Sequence, residues 1–273
     1  MTLCLSASGG EQDVDLLIDR GFQTGDGVYE TLRVEDGAVL WLEEHIERLK
    51  VSALKIRLPF PWDVKSVALF LRPRLPEQGL ARLRLTLTAG EGGRGFVRPA
   101  VLSPRLFALC VSASATPSLE DLEVAPHRVP LDWPAKTLSG LPRVLAAPPV
   151  GREWVMVNEG GQVTEATMSN IFWWKSGSWQ TPAITPSLLS GLTRQRVIQL
   201  AHSMGLAMEE GTYTVEELRQ AEEVMLTGSV AGLVAAKKLE GRALQTRHVE
   251  QLREGYQNLV KNEVSRSKTT YFY

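Results

Sequence analysis

The sequence predicts a mixed α/β (α+β) fold divided into two domains, on three observations. Stretches alternating apolar and polar residues at every second position, the signature of strands, sit beside stretches with the three-to-four-residue apolar spacing of a helix. A chain of 273 residues suits two modest cores better than one. Between the halves, Ser112 to Ser118 is small, polar and uncharged, a composition that connects domains rather than fills them. The expected division is a smaller N-terminal α/β domain over 1–111, a linker over 112–122 and a larger C-terminal domain over 123–273. No internal repeat is present.

The elements follow in chain order. The glycine-rich run Gly21 to Gly27 reads as a turn, Val28 to Val34 as an alternating strand, and Glu35-Asp36-Gly37 as the turn that closes it. From Leu42 the apolar residues Leu42, Ile46, Leu49 and Ala53 recur at helical spacing, with Glu43, Glu44, Glu47 and Lys50 on the opposite face. Arg82 to Thr88 alternates strictly and predicts a half-buried strand. It runs into Ala89 to Phe96, read as a flexible loop presenting Arg94, and a further strand is expected at Leu106 to Val111. In the C-terminal half, strands are expected at Trp154 to Asn158 and Val163 to Trp174, with turns at Glu159-Gly160-Gly161 and Ser176-Gly177-Ser178. Ser190 to Arg194 leads into a helix whose inward face is Val197, Leu200, Ala201 and Met204. Thr214-Val215-Glu216-Glu217 matches a capping box that starts a short helix. A strand at Glu223 to Leu226 closes at Thr227-Gly228-Ser229, and a last helix covers Val249 to Val264. The polar and aromatic tail Ser267 to Tyr273 reads either as disordered or as packing on a partner subunit.

Composition excludes several function classes. A net charge of -1 leaves no basic excess to work against phosphate charge, so neither nucleic acid nor a membrane surface is an expected partner. Cys4 and Cys110 lack CxxC spacing, and the four histidines at 45, 127, 202 and 248 lie far apart, so neither a disulfide framework nor a metal site is expected. Met1 to Gly10 lacks the basic start and apolar stretch of a secretory signal, and Val224 to Ala236 is too short to span a bilayer. A cytoplasmic location is the expectation. No GxxxxGKS or strand-following GxGxxG disposes toward nucleotides, and no Gly-x-Ser-x-Gly elbow toward serine hydrolysis.

What remains is a set of groups that suit one cofactor. Lys136 stands in Asp132-Trp133-Pro134-Ala135-Lys136-Thr137-Leu138, and an ammonium among Trp, Pro and Leu loses hydration, which favours the neutral amine that a Schiff-base nucleophile needs. Taken alone, a half-exposed lysine on an edge strand or loop is the other reading. Glu165 follows in Val163-Thr164-Glu165-Ala166; taken alone it reads as a solvated strand-end carboxylate. Arg48 lies close to the buried face of its helix, either paired with Glu44 one turn earlier or turned inward to grip a phosphate with two donors. Ser190-Gly191-Leu192-Thr193 and Thr227-Gly228-Ser229 offer backbone N–H groups and hydroxyls to an anion, or are an ordinary N-cap and strand-end turn. Pyridoxal phosphate needs an amine, an acid opposite its pyridine nitrogen and phosphate donors, and Lys136, Glu165, and Arg48 with the two turns are those groups.

The chain resembles the fold-type IV pyridoxal-phosphate enzymes, the class-IV aminotransferase family. The matching stretches run in family order over almost the whole length: Asp19 to Glu30, Glu44 to Leu49, Lys136-Thr137-Leu138 with Leu141-Pro142 and Val144-Leu145-Ala146, Val163 to Ala166 with Ser169 to Phe172, and Gly191 to Arg194. The resemblance implies that Lys136 carries the cofactor covalently and shuttles the proton, and that Glu165 pairs with the pyridine nitrogen. It assigns the phosphate to Arg48, Leu192, Thr193, Ser229 and Val230, with Leu189 packed on a ring face. It also implies a cofactor between two domains and a homodimer. Within the family, Gly92-Gly93-Arg94-Gly95-Phe96 looks like the loop of 4-amino-4-deoxychorismate lyases, whereas D-amino-acid aminotransferases place a histidine where this chain has Phe96. Branched-chain aminotransferases run Phe-Glu-Gly where it has Tyr29-Glu30-Thr31. The expected reaction is release of pyruvate from 4-amino-4-deoxychorismate to leave the folate precursor 4-aminobenzoate, with Tyr29, Thr31 and Arg94 toward the substrate. The alternative is amino transfer from a D- or branched-chain amino acid to 2-oxoglutarate.

Overall fold

A computed structural model describes residues 3–114, 118–126, 135–149, 152–185 and 188–272. The chain divides into two compact units: residues 1–114, 133–140 and 261–273 form unit 1, and 115–132 with 141–260 form unit 2. The sequence reading gave all of 123–273 to the second domain. The segment around Lys136 belongs to unit 1 because its backbone bonds to a unit 1 strand, and the C-terminal end belongs there because its side chains do.

In unit 1 the elements are β1 (Leu3–Ser6), β2 (Glu11–Asp13), α1 (Arg20–Thr24), β3 (Gly27–Glu35), β4 (Ala38–Val39), α2 (Leu42–Lys55), α3 (Val64–Leu71), β5 (Leu80–Thr88) and β6 (Arg105–Ser112). The strands make one antiparallel sheet in the order β2-β1-β6-β5-β3-β4. β3 and β5 pair over nine positions, from Gly27 opposite Thr88 to Glu35 opposite Leu80. The two-residue period divides β3 cleanly: Val28, Glu30, Leu32 and Val34 are fully buried on one face, and Tyr29, Thr31 and Arg33 are half-buried on the other. Leu42, Ile46 and Leu49 of α2 share the buried face's core with Leu83, Leu85 and Leu87 of β5, each such side chain contributing roughly 1.5–3 kcal/mol. Two elements differ from the reading. The start of the glycine-rich run is the short helix α1, whose Asp19 accepts a hydrogen bond from the Gly21 amide at 2.8 Å. The tail is a π-helical turn, Lys268–Phe272, held on its own unit: the buried Ser267 hydroxyl donates to the Val39 carbonyl at 2.8 Å, and the Tyr271 hydroxyl bonds Glu43. Tyr273 lies outside the described residues.

Unit 2 contains β7 (Ser118–Leu119), β8 (Leu122–Val124), α4 (Leu141–Leu145), β9 (Glu153–Val157), β10 (Val163–Ala166), β11 (Asn170–Lys175), β12 (Ser178–Pro182), α5 (Leu192–Ser203), β13 (Met208–Gly211), α6 (Val215–Arg219), β14 (Glu223–Gly228), β15 (Gly232–Ala236), β16 (Lys238–Leu239), β17 (Arg242–Ala243) and the first part of α7 (Arg247–Ser267). Among the described residues two sheets form, β10-β9-β8-β16-β17 and β13-β12-β11-β14-β15-β7, and both mix parallel with antiparallel pairs. The single strand expected over Val163 to Trp174 is two. The chain leaves the first sheet at Ala166, turns with the Ala166 amide on the Ser169 carbonyl at 2.7 Å, and enters the second at Asn170. Both strands are buried on both faces, so no change of period marks the break. The helix expected to bury Met204 ends at Ser203, which leaves Met204 exposed, whereas Val197 and Ala201 are in the core. The capping box at Thr214 and Glu217 forms as expected. No described helix is long and apolar enough to cross a membrane.

Candidate active site

Unit 1 carries five of the expected site residues: Tyr29, Thr31, Arg48, Arg94 and Lys136. Residues 136–138 run along the free edge of β3, with the Tyr29 amide on the Lys136 carbonyl and the Leu138 amide on the Gly27 carbonyl, both at 2.9 Å. Thr137 sits in an isolated antiparallel bridge with Val28. This pairing fixes the backbone from the lysine carbonyl onward. Its half-buried side chain brings Nζ to 4.7 Å from the centroid of the Tyr29 ring. The same ring is stacked by the Arg84 guanidinium at 3.7 Å, and Arg84 is the β5 residue directly opposite Thr31. Tyr29, Thr31, Arg84 and Lys136 thus share a polar patch built on the less buried face of the sheet. The expected apolar neighbours Trp133 and Pro134 lie outside the described residues.

Arg48 has a partner that the sequence did not suggest. From α2 it reaches the buried face of β3 and meets Glu30 in a two-pronged pair, Nε to Oε1 and Nη2 to Oε2 at 2.7 Å each. His45, one turn earlier, bonds the same carboxylate through Nδ1 at 2.8 Å. Burial pushes the Glu30 carboxyl up, but the Arg48 charge and the His45 and Arg48 hydrogen bonds outweigh it and bring the group down to about 2. Glu30 and His45 were missed as site residues. A signal for them was present, since Glu30 falls in the apolar phase of β3 and a buried carboxylate requires a cation.

The stretch read as a flexible loop is a tight hairpin in which the amides of Arg94 and Val97 bond each other's carbonyls at 3.0 Å. Buried Arg20 ties its base, donating to the Gly92 carbonyl at 3.0 Å while its Nε bonds Asp26 at 2.9 Å. Asp26 also takes Arg98; burial raises its carboxyl, and the hydrogen bonds from Arg98 and Arg20 lower it further than burial raises it. Gly93 has φ +80°, and a Cβ there would lie 2.2 Å from the Val97 carbonyl oxygen, so only glycine fits. Arg94 and Phe96 are held out into solvent. A cavity of about 360 Å³ opens nearby, lined by Arg20, Asp26, Phe96, Arg98, Thr137 and Ser139.

Unit 2 carries the other six: Glu165, Leu189, Leu192, Thr193, Ser229 and Val230. Glu165 is buried within β10, which corrects the solvated reading. Its Oε1 accepts from Arg143 Nη2 of α4 at 2.8 Å and its Oε2 from the Leu189 amide at 3.2 Å. The Leu189 carbonyl accepts from Asn170 Nδ2 at 2.9 Å. Asn170 packs on Gly191 so closely that a Cβ there would fall 2.0 Å from Asn170 Oδ1. Gly191 is the N-cap of α5 and offers no side chain to its first amides. Thr193 is buried in that first turn. Across the sheet from Asn170 is Thr227, whose buried hydroxyl has no hydrogen-bond partner among the described residues. Half-buried Ser229 and Val230 follow it at the end of β14. The helix start without a side-chain cap and the orphan Thr227 hydroxyl are groups of the kind that suits a phosphate. Arg143 and Arg84 gave no sequence signal, since register and the return of a short helix onto β10 are tertiary facts.

The family model described as amino-transferase class IV matches residues 27–239. The chain is 33% identical over 257 residues to a putative branched-chain-amino-acid aminotransferase of Methanocaldococcus jannaschii, covering 89% of this chain and 88% of that one. It is 30% identical to the aminodeoxychorismate lyase of Bacillus subtilis, covering 81% and 80%. Its fold matches the crystal structure of a Brucella abortus aminotransferase bound to the cofactor pyridoxal phosphate, with a TM-score of 0.82 at 20% identity over 95% of this chain and 99% of that one.

Proposed function

From the premise that the chain belongs to the class IV aminotransferases, a pyridoxal-phosphate-dependent enzyme family, we propose that it is a lyase converting 4-amino-4-deoxychorismate to 4-aminobenzoate and pyruvate. The observation that carries this reading is the Gly92 to Phe96 hairpin. Its glycines are demanded by its geometry, it presents Arg94 and an aromatic residue rather than a histidine, and the lyase resemblance rests on those same positions. The likeness to the Bacillus subtilis lyase supports it.

The residues present fit the cofactor. The buried Thr227 hydroxyl and the uncapped start of α5 are donors without a ligand of their own, which is what a phosphate would supply. Leu192, Thr193, Ser229 and Val230 would form the phosphate cradle, with Arg48 as a further donor whose Nε–Nη2 edge Glu30 holds in place. Glu165 would pair with the pyridine nitrogen, and Leu189, whose amide bonds Glu165, would pack on the ring. Lys136 would carry the cofactor covalently. Once bound, pyridoxal phosphate supplies a conjugated ring that takes up the electrons released at the carbon bearing the substrate amine.

Lys136, its amine freed as the substrate amine takes its place, would remove the proton from that carbon, held by the backbone pairing to β3 and by the Tyr29 ring. The substrate's ring C–O bond would then break, the three-carbon group would leave as the enolate and become pyruvate on taking up the proton that Lys136 removed, and the six-membered ring would become aromatic. The atoms of the substrate are those of the two products, so neither water nor an amino acceptor is consumed. Arg94 and Thr31 bind the substrate's polar groups, and a homodimer is the expected assembly.

One observation favours a second reading, amino transfer from a D- or branched-chain amino acid to 2-oxoglutarate. Arg84 adds a cation to the face that carries Tyr29 and Thr31, and a dicarboxylic acceptor needs more than one. The experiment is pyruvate release from 4-amino-4-deoxychorismate without any oxo acid, compared with amino transfer from a panel of D- and L-amino acids. Acceptor-free pyruvate supports the lyase; amino transfer without it establishes the transaminase.

A further inference from the structure

We infer that Arg143 is a positioning residue that acts on the cofactor through Glu165, drawing on the carboxylate's charge and so weakening its hold on the pyridine-nitrogen proton. This rests on the reading that Glu165 faces that nitrogen. Three observations carry it. Glu165 is buried, so its negative charge requires a cation, and Arg143 Nη2 at 2.8 Å is in hydrogen-bond contact with Oε1. The second oxygen, Oε2, is held by the Leu189 amide, which fixes the plane of the carboxylate. And α4 contains no buried residue, so its packing does not explain why an arginine stands there.

The physical consequence follows from sharing one anion between two cations. A guanidinium at hydrogen-bond distance offsets part of the negative charge of the carboxylate it touches. A pyridine-nitrogen proton facing Glu165 would therefore meet a weaker negative field than a carboxylate without Arg143 would present. A less protonated ring accepts electrons less readily. Arg143 would thus restrain the electron uptake on which both candidate reactions draw, by an amount set by a single contact.

The test uses the holoprotein loaded with pyridoxal 5'-phosphate carrying 15N in its ring, read by the 15N resonance at fixed neutral pH. Arg143→Met is expected to move the resonance toward the protonated-pyridine position. Arg143→Lys, which keeps the charge on a different reach, is expected to return the resonance toward wild type. Glu165→Gln is expected to move it the opposite way, toward the unprotonated position. An unchanged resonance in Arg143→Met, or a shift in the same direction as Glu165→Gln, overturns the role of Arg143 while leaving that of Glu165 standing. An unchanged resonance in Glu165→Gln overturns both.

Discussion

Glu30 and Arg48 are joined by two hydrogen bonds of 2.7 Å, and the carboxylate is wholly buried between β3 and α2. Arg48 has therefore surrendered one edge of its guanidinium to a partner inside the fold, and its position is set before any ligand arrives. Breaking such a pair from one side leaves a largely buried cation, which costs about 3–5 kcal/mol. Glu30→Gln should lower the unfolding free energy at pH 7 by that amount, measured by urea titration.

The same pair predicts an acid dependence. The Glu30 carboxyl is depressed from 4.5 to about 2 in the folded protein. A depressed acid contributes stability that is fully present above its unfolded value and is lost as pH falls through the folded one. Between pH 4.5 and about 2, wild type should therefore lose on the order of 3 kcal/mol that Glu30→Gln does not lose. Denaturation of both proteins across that window reads the difference. A constant gap between them would show that Glu30 is not held ionised by its partners.

Tyr29 is the meeting point of two cations, Lys136 at 4.7 Å and Arg84 at 3.7 Å from its ring. Tyr29→Phe keeps the aromatic face and should leave stability within about 0.5 kcal/mol of wild type, whereas Tyr29→Leu should lose roughly 1–2 kcal/mol as both contacts go. If the ring also sets the lysine's approach, covalent capture of pyridoxal phosphate, followed by borohydride trapping, should be slower in Tyr29→Leu than in Tyr29→Phe. Equal trapping rates would reduce Tyr29 to a packing role.

Much of this was legible before the coordinates, and what was not has a common cause. The two-residue phase of β3, the α2 stripe and the Thr214 capping box are local, and each can be read from a window of about a dozen residues. Glu30 was half legible: its phase placed it in the core, but its partner on α2 could be chosen only once the crossing of helix and strand was known. Arg84 and Arg143 were illegible, because strand register and the docking of a five-residue helix leave no periodic trace. The break between β10 and β11 was hidden for a related reason, since a strand buried on both faces looks the same whichever sheet it joins.

Gly191 gives a steric test of the phosphate cradle. Its φ is -70°, so alanine meets no backbone penalty, but its Cβ would lie 2.0 Å from Asn170 Oδ1 and must displace that side chain. Asn170 would then release the Leu189 carbonyl. Gly191→Ala should cost about 1–3 kcal/mol of stability and weaken pyridoxal phosphate binding by about tenfold or more, the equivalent of 1.4 kcal/mol. Gly160→Ala in the same unit, where the nearest atom is Asn158 Oδ1 at 3.4 Å, is the control and should bind as wild type. Cofactor titration by fluorescence quenching distinguishes them, and equal affinities would detach Gly191 from the site.

Glu223 carries the last prediction, which concerns how the longest helix begins. β14 supplies an acceptor to the first turn of α7. The fully buried Glu223 carboxylate accepts from the His248 amide at 2.9 Å and the Val249 amide at 3.0 Å, and it contacts His248 Nδ1 at 2.7 Å. The His248 ring in turn stacks on Trp174, with centroids 4.1 Å apart. A carboxylate at a helix start satisfies orphan amides and complements the positive end of the helix. Glu223→Ala strips the amides of their acceptor inside the fold and should cost about 2–4 kcal/mol. Glu223→Gln keeps one acceptor oxygen and should recover part of that loss. Amide hydrogen exchange locates the effect: in Glu223→Ala the amides of His248 and Val249 should lose protection first, ahead of those at the middle of α7. Uniform loss along the helix would mean that the carboxylate stabilises the fold as a whole and not the start of α7.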